Sequence, residues 1–136
     1  MADCVELKSR ASGFTIIELL VVLALISILA TMGLAQYRNG VVHAREAVLK
    51  TDLFDLRDAI DQYYADKGTY PSTLDALVSD GYVRRIPVDP FTSAADTWQA
   101  VPSEPDPNNP AAPVGIYDVK SGSDQTALDG TKYADW

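Results

Sequence analysis

The most constraining feature of this 136-residue sequence is an apolar run from Phe14 to Ala35 that contains one carboxylate, Glu18. As an α-helix these 22 residues reach about 33 Å at roughly 1.5 Å per residue, enough to cross a hydrocarbon core of about 30 Å. A charged side chain that faces lipid costs on the order of 3 kcal/mol or more, so Glu18 needs a partner. If a peptidase cuts after Gly13, Glu18 becomes the fifth residue. The new amine of Phe14 on a neighbouring copy can then neutralise it.

The segment before the apolar run differs from an ordinary secretory signal. Such a signal is cut after its apolar region, whereas here the small residues at positions 11–13 come before that region. The sequence therefore predicts a cleaved leader at residues 1–13 and a membrane-spanning half-helix at residues 14–35. Residues 36–136 form a predicted head that includes the second half of the helix.

Composition and charge exclude several classes of protein. The formal net charge is −8, which argues against binding to nucleic acid. His43 is the single histidine, so a His-based metal site or catalytic triad has no support. The single cysteine, Cys4, lies in the predicted leader, so the mature chain is predicted to have no disulfide. Lys8 and Arg10 also lie there, and the positive-inside tendency places the leader in the cytoplasm and the head outside.

Beyond the apolar run, the spacing predicts that the helix continues to about Asp66. No proline occurs before Pro71, and Gly68 is a natural helix end. Apolar residues form a stripe that predicts the face packed on the head: Leu49, Leu53, Leu56, Ile60 and Tyr63. Charged residues on the other face predict two exposed i,i+4 ion pairs, Glu46–Lys50 and Arg57–Asp61.

The remaining sequence predicts a small α+β head. A capping pattern at Ser72-Thr73 predicts a short helix through Val78. Thr97–Val101 and Val114–Val119 are predicted strands, with a proline-rich loop between them. The predicted fold is therefore a long N-terminal helix packed on a small antiparallel sheet.

The residues around the cut form a recognisable motif. Gly13-Phe14-Thr15-Ile16-Ile17-Glu18, with the apolar residues that follow, resembles the class III signal of type IV pilins and pseudopilins. The resemblance implies cleavage after Gly13, N-methylation of Phe14 by a prepilin peptidase, and pairing of Glu18 with a neighbouring N-terminus. Many relatives have a proline where Ala35 stands, so any unwinding of the helix in a filament is expected at Gly33 instead.

The head carries a second resemblance. Residues 81–91, with their Gly-Tyr start and Asp-Pro-Phe end, are similar to a segment of the major pseudopilins of type II secretion systems, and so are residues 115–121 and Trp136. The resemblance implies a structural subunit, not an enzyme, that polymerises into a periplasmic filament driving export of folded proteins across the outer membrane. The implied partners are further copies of the chain, minor pseudopilins, the inner-membrane assembly platform and the prepilin peptidase. The implied location is the inner membrane, crossed once, with the head in the periplasm.

The C-terminal segment predicts a calcium site. Ser121, Asp124 and Asp129 supply side-chain oxygens within nine residues, and glycines at 122 and 130 let the backbone turn. The resemblance adds a main-chain oxygen near Val119 as a further ligand. The alternative is that these side chains cap turns in a solvated loop.

Two other functions stay open at this stage. A surface type IV pilus subunit for adhesion, motility or DNA uptake fits the N-terminal half equally well. A signal-anchored membrane protein whose head binds a ligand or acts as an enzyme requires that the bond between Gly13 and Phe14 stays uncut.

Overall fold

The computed structural model describes residues 12–136, which divide into two compact units, residues 12–39 and residues 40–136. Cys4, Lys8 and Arg10, with the rest of the predicted leader up to residue 11, lie outside the described residues. Helix α1, Ile16–Lys67, has 52 residues and contributes to both units.

Local chemistry sets both ends of helix α1. At its start, the main-chain N–H of Glu18 donates to the Thr15 hydroxyl at 3.2 Å, so Thr15 caps the first turn. At its end, Gly68 adopts φ +69° and its N–H donates to the Tyr64 carbonyl at 2.8 Å. The predicted continuation of the helix to a stop at Gly68 is confirmed.

The first unit is a bare apolar helix. Every large hydrophobic side chain from Phe14 to Leu34 is exposed, from 45% at Val22 to 86% at Phe14. By length and composition, α1 is the helix in the described part of the chain that can cross a membrane. The predicted apolar half-helix is present, and it has no cover within its own unit.

The second unit is the head, and its core is the predicted stripe of α1. Leu49, Leu53, Leu56 and Ile60 are at most 2% exposed. Helix α2, Leu74–Ser79, packs Leu77 into this core and begins at Thr73, whose hydroxyl accepts the Ala76 N–H at 3.3 Å. The capping pattern therefore predicted the start of α2 correctly.

The head contains a two-stranded antiparallel sheet. Strand β1, Gln99–Pro102, pairs with strand β2, Ile116–Lys120, with Ala100 opposite Val119 and an irregularity after Val101. Both strands begin two residues later than predicted. Thr97 is held in a turn, where its hydroxyl donates to the Ala94 carbonyl at 3.3 Å. Gly115 lies so close to Tyr70 that a Cβ at Gly115 would come within 2.6 Å of the Tyr70 carbonyl oxygen.

Glu46 ties the C-terminal segment, residues 121–136, to helix α1. It is 8% exposed, and its Oε1 accepts the Leu128 N–H at 2.8 Å and the Tyr133 hydroxyl at 2.9 Å. The predicted surface pair Glu46–Lys50 is wrong, because Glu46 points inward to these two donors. A short 3₁₀-helix, Tyr133–Asp135, completes the segment and stacks the Tyr133 ring on Phe91, with centroids 3.9 Å apart.

Tyr133 should make the stability of the head sensitive to alkaline pH. Burial, with the hydrogen bond to Glu46, raises the pKa of Tyr133 from 10.0 to about 12. Because the folded pKa exceeds the unfolded one, this contribution is complete below pH 10 and is lost as the pH rises through about 12. We expect the melting temperature of the full chain in detergent micelles to fall over that interval, and Tyr133→Phe to make the fall shallower.

Tyr117→Phe is the matched control for this measurement. Tyr117 is 55% exposed, so its ring lies outside the core that buries Tyr133. An equally steep alkaline fall in the wild type and in Tyr133→Phe would contradict the assignment to Tyr133.

Candidate functional site

The N-terminal motif lies at the start of helix α1 and is fully accessible. Gly13 and Phe14 precede the helix in a non-helical, exposed stretch. A peptide bond outside a helix can enter the extended conformation that a peptidase needs, so the predicted cut site is accessible. Its cleavage remains a prediction.

Glu18 lies in the first turn of α1 and is exposed. Among residues 12–136 it forms no ion pair, and the shallow depression beside it is lined by apolar neighbours such as Phe14, Leu19 and Val22. Near the start of a helix a carboxylate also meets the positive end of the macrodipole. The Glu18 carboxylate is therefore accessible to a cation.

The region predicted to unwind in a filament is regular helix in the isolated chain. Helix α1 runs without interruption through Gly33, Ala35 and Gly40. A Cβ built on Gly33 or on Gly40 would meet nothing within 4 Å, so neither glycine is required by close packing. Unwinding at Gly33 remains a prediction about the assembled state.

A buried carboxylate, Asp89, holds the first residue of the C-terminal segment. Asp89 is 0% exposed, and its Oδ2 accepts the Ser121 hydroxyl at 2.5 Å. Its Oδ1 accepts the main-chain N–H groups of Phe91 and Thr92 at 2.8 and 3.4 Å. Three donors thus satisfy the carboxylate, as a buried charge requires. The Ser121 oxygen also accepts the Ser123 N–H at 3.2 Å.

Arg57 joins helix α1 to strand β2 and to the last described residue. Its Nε donates to Asp118 Oδ1 at 2.6 Å, while Nη2 donates to the main-chain oxygens of Val119 at 3.0 Å and Trp136 at 2.6 Å. The predicted surface pair Arg57–Asp61 is wrong. The guanidinium turns to these three oxygens, which lie 61 to 79 residues further along the chain.

The predicted calcium ligands do not form one set of available oxygens. Ser121 is 0% exposed and bonded to Asp89, and Asp129 accepts both the N–H and the hydroxyl of Thr131, at 2.9 and 2.6 Å. The bonds from Thr131 hold the pKa of the Asp129 carboxyl below its usual value. Asp124 is exposed, and the Val119 oxygen is taken by Arg57.

These residues do not fit a calcium ion as the sequence placed it. Calcium needs six to eight oxygens in one shell, and the described residues include no cluster of three acidic, His or Cys side chains that could hold a metal. Calcium binding stays a prediction from the resemblance, and no step of the proposed function uses it.

Three side chains, Glu46, Arg57 and Asp89, fix the C-terminal segment, and the sequence did not predict this role for them. The first two follow a helical charge pattern that also suits surface pairs, so periodicity could not reveal them. The local role of Asp89 could have been predicted, because an aspartate before a proline turn often accepts main-chain N–H groups two and three residues on. Its contact with Ser121 had no local signal.

Comparisons with known proteins concern both the N-terminal motif and the chain at large. A family described as "Prokaryotic N-terminal methylation motif" matches residues 8–34. A type II secretion system core protein G from Pseudomonas aeruginosa is 35% identical over a 100-residue alignment that covers 62% of this chain and 70% of the relative. The type II secretion system core protein G from Vibrio cholerae is 31% identical over 97 residues, which cover 60% of this chain and 66% of the relative.

A protein of another name is also similar. The fimbrial protein EcpC from Eikenella corrodens is 35% identical over 100 residues, which cover 67% of this chain and 60% of the relative. No solved structure matches the chain significantly.

Proposed function

This chain belongs to the family of type II secretion system core protein G, the major pseudopilins, and from that membership we infer that it is a structural subunit of a type II secretion pseudopilus. One structural observation carries the inference furthest. Every large hydrophobic side chain from Phe14 to Leu34, just before and along the first half of helix α1, is exposed. Such a surface requires either lipid or identical helices around it, and a pseudopilus subunit uses each in turn.

We propose that the protein first sits in the inner membrane through residues 14–35, with its head in the periplasm. A prepilin peptidase then cuts between Gly13 and Phe14 and methylates the new terminus. Exposure of this bond ahead of the helix supports the step. The secretion system's assembly platform next adds the subunit to a filament of further copies, in company with minor pseudopilins.

Glu18 has a defined part in this assembly. In lipid its charge is costly, and within residues 12–136 no cation pairs with it. The terminal amine created at Phe14 of a neighbouring copy would supply the missing cation. Pairing the two charges removes the penalty only when subunits associate, so the interaction favours the filament over the single subunit in lipid.

The proposed work of the head is structural. His43 is exposed on α1, and Asp55, Asp58 and Asp61 lie on its solvated face, so neither feature assembles catalytic groups. The relatives of type II secretion support a role in polymerisation, through which the filament helps to export folded proteins across the outer membrane.

A surface type IV pilus subunit is the second candidate, because the fimbrial protein EcpC is among the similar proteins. That relative is covered over 60% of its length, against 70% for the first core protein G, so the pilus function has weaker support.

Replacing Glu18 by alanine should separate membrane insertion from assembly. We expect Glu18→Ala to reach the membrane fraction at the wild-type level, because removing a charge makes insertion easier. We expect its filament yield to drop at least about tenfold, which corresponds to the loss of about 1.4 kcal/mol per added subunit. Sheared or cross-linked filaments are counted in cells that carry the secretion machinery.

Asp61→Ala is the matched control for this experiment. It removes an exposed carboxylate from the same helix, and Asp61 forms no ion pair among the described residues. Normal filament yield from Glu18→Ala would overturn the pairing proposal.

The cut itself can be tested by mass spectrometry of the membrane fraction. We expect the wild-type chain to begin at Phe14 and to carry one N-terminal methyl group. Gly13→Val should keep the leader, because it replaces the small residue before the cut with a β-branched one, while Ser12→Ala should be processed normally. An intact leader on the wild type, in cells with an active prepilin peptidase, would favour the signal-anchored alternative.

A further inference from the structure

Arg57 lies among three oxygen acceptors. Its guanidinium contacts one carboxylate oxygen, from Asp118, and two main-chain oxygens, from Val119 and Trp136. A carboxylate with main-chain oxygens is also the donor set that calcium collects. The resemblance implied a main-chain calcium ligand near Val119, and the Val119 oxygen is here an acceptor for a fixed positive charge.

The geometry of Arg57 suits a permanent role. A guanidinium remains charged at any physiological pH, and its planar fork of donors can meet several oxygens at once. Hydrogen bonds from such a group are shorter and stronger than neutral ones, and two of the three distances here are 2.6 Å. Arg57 and Asp118 are both half-buried, which limits screening of their attraction by water.

A second cation reinforces the first. The Lys50 ammonium lies 4.5 Å from the centroid of the Trp136 ring, a cation–π contact. Lys50, Arg57, Asp129 and Trp136 line one shallow depression where α1 faces the C-terminal segment. Two positive side chains in this depression would repel a divalent cation.

Two of the predicted calcium ligands are already hydrogen-bonded within the head. Thr131 donates twice to Asp129, and Ser121 is bonded to the buried Asp89. The Glu46 carboxylate accepts the Leu128 N–H and so holds the middle of the segment against α1 without a metal.

From these contacts we propose that Arg57 is a built-in cation, which holds strand β2 and residues 121–136 against helix α1 so that the head keeps its C-terminal segment ordered without bound calcium. The proposal concerns the head alone and does not depend on the proposed function in secretion. It assigns Arg57 a positioning role in which the guanidinium replaces the metal expected from the resemblance.

Hydrogen exchange of the full chain in detergent micelles tests this directly. Amide exchange of peptides from residues 121–136 is followed by mass spectrometry, first with millimolar calcium and then with the chelator EGTA. We expect the wild type to exchange at the same rate in both. Arg57→Met should speed exchange of the segment about tenfold or more, because three charge-assisted bonds are lost, and should lower the melting temperature by at least about 5 °C.

Arg45→Met is the matched control, because it removes the same charge from an exposed site on α1 that forms no ion pair among residues 12–136. If Arg57→Met does not fold, Asp118→Asn keeps the strand and removes one acceptor charge, and it should speed exchange to a smaller extent.

Two results would overturn the proposal. One is wild-type exchange at least about tenfold faster in EGTA than in calcium, a difference that Asp124→Asn abolishes, because the metal would then hold the segment. The other is exchange in a folded Arg57→Met that equals exchange in Arg45→Met. The wild-type comparison stands even where no variant folds.

Discussion

The structure depends first on covering an apolar helix that its own chain leaves bare. Fully burying each large side chain between Phe14 and Leu34 is worth about 1.5–3 kcal/mol relative to water, so the helix does not stay exposed. Lipid and a bundle of identical helices cover this surface about equally well, because lipid tails are as apolar as leucine. Apolar burial therefore does not choose between the membrane and the filament. In the assembly that we propose, the one charge in the run, Glu18, makes this choice, because a charge that is costly in lipid is stabilised when a cation pairs with it.

In the head, irregular backbone has to be held against a small hydrophobic core. Its sheet has two strands, and an isolated two-stranded sheet is marginally stable in water. The C-terminal segment has little regular structure of its own, so its main-chain groups need partners from elsewhere. Glu46, Arg57 and Asp89 provide those partners from distant parts of the chain. Each of these side chains makes two or more hydrogen bonds, so three residues hold a segment that has no strand of its own.

How far the sequence predicts this molecule depends on the range of each interaction. Thr73 and Gly68 act on neighbours within a few residues, so the start of α2 and the end of α1 could be read directly. Leu53 and its stripe followed from periodicity alone. Glu46 and Arg57 could not be assigned, because the same spacing suits surface pairs and the true partners lie 61 to 87 residues away. Calcium binding at the predicted ligands stays a prediction. The bonds of Ser121 to Asp89 and of Thr131 to Asp129 had no sequence signal, because the first joins residues 32 positions apart and the second depends on the local turn.

The long span of these contacts has a consequence for the order of folding. Helix α1 is built from local bonds and can form within microseconds, whereas the bond between Arg57 and the Trp136 oxygen closes a loop of 79 residues. Contacts of that separation repay their loop-closure entropy only when the intervening chain is already compact. The contact between Arg57 and Trp136 is therefore expected to form late, after the chain between them has become compact. A subunit in which this contact has not formed differs from the folded one on the face of α1 that the C-terminal segment covers.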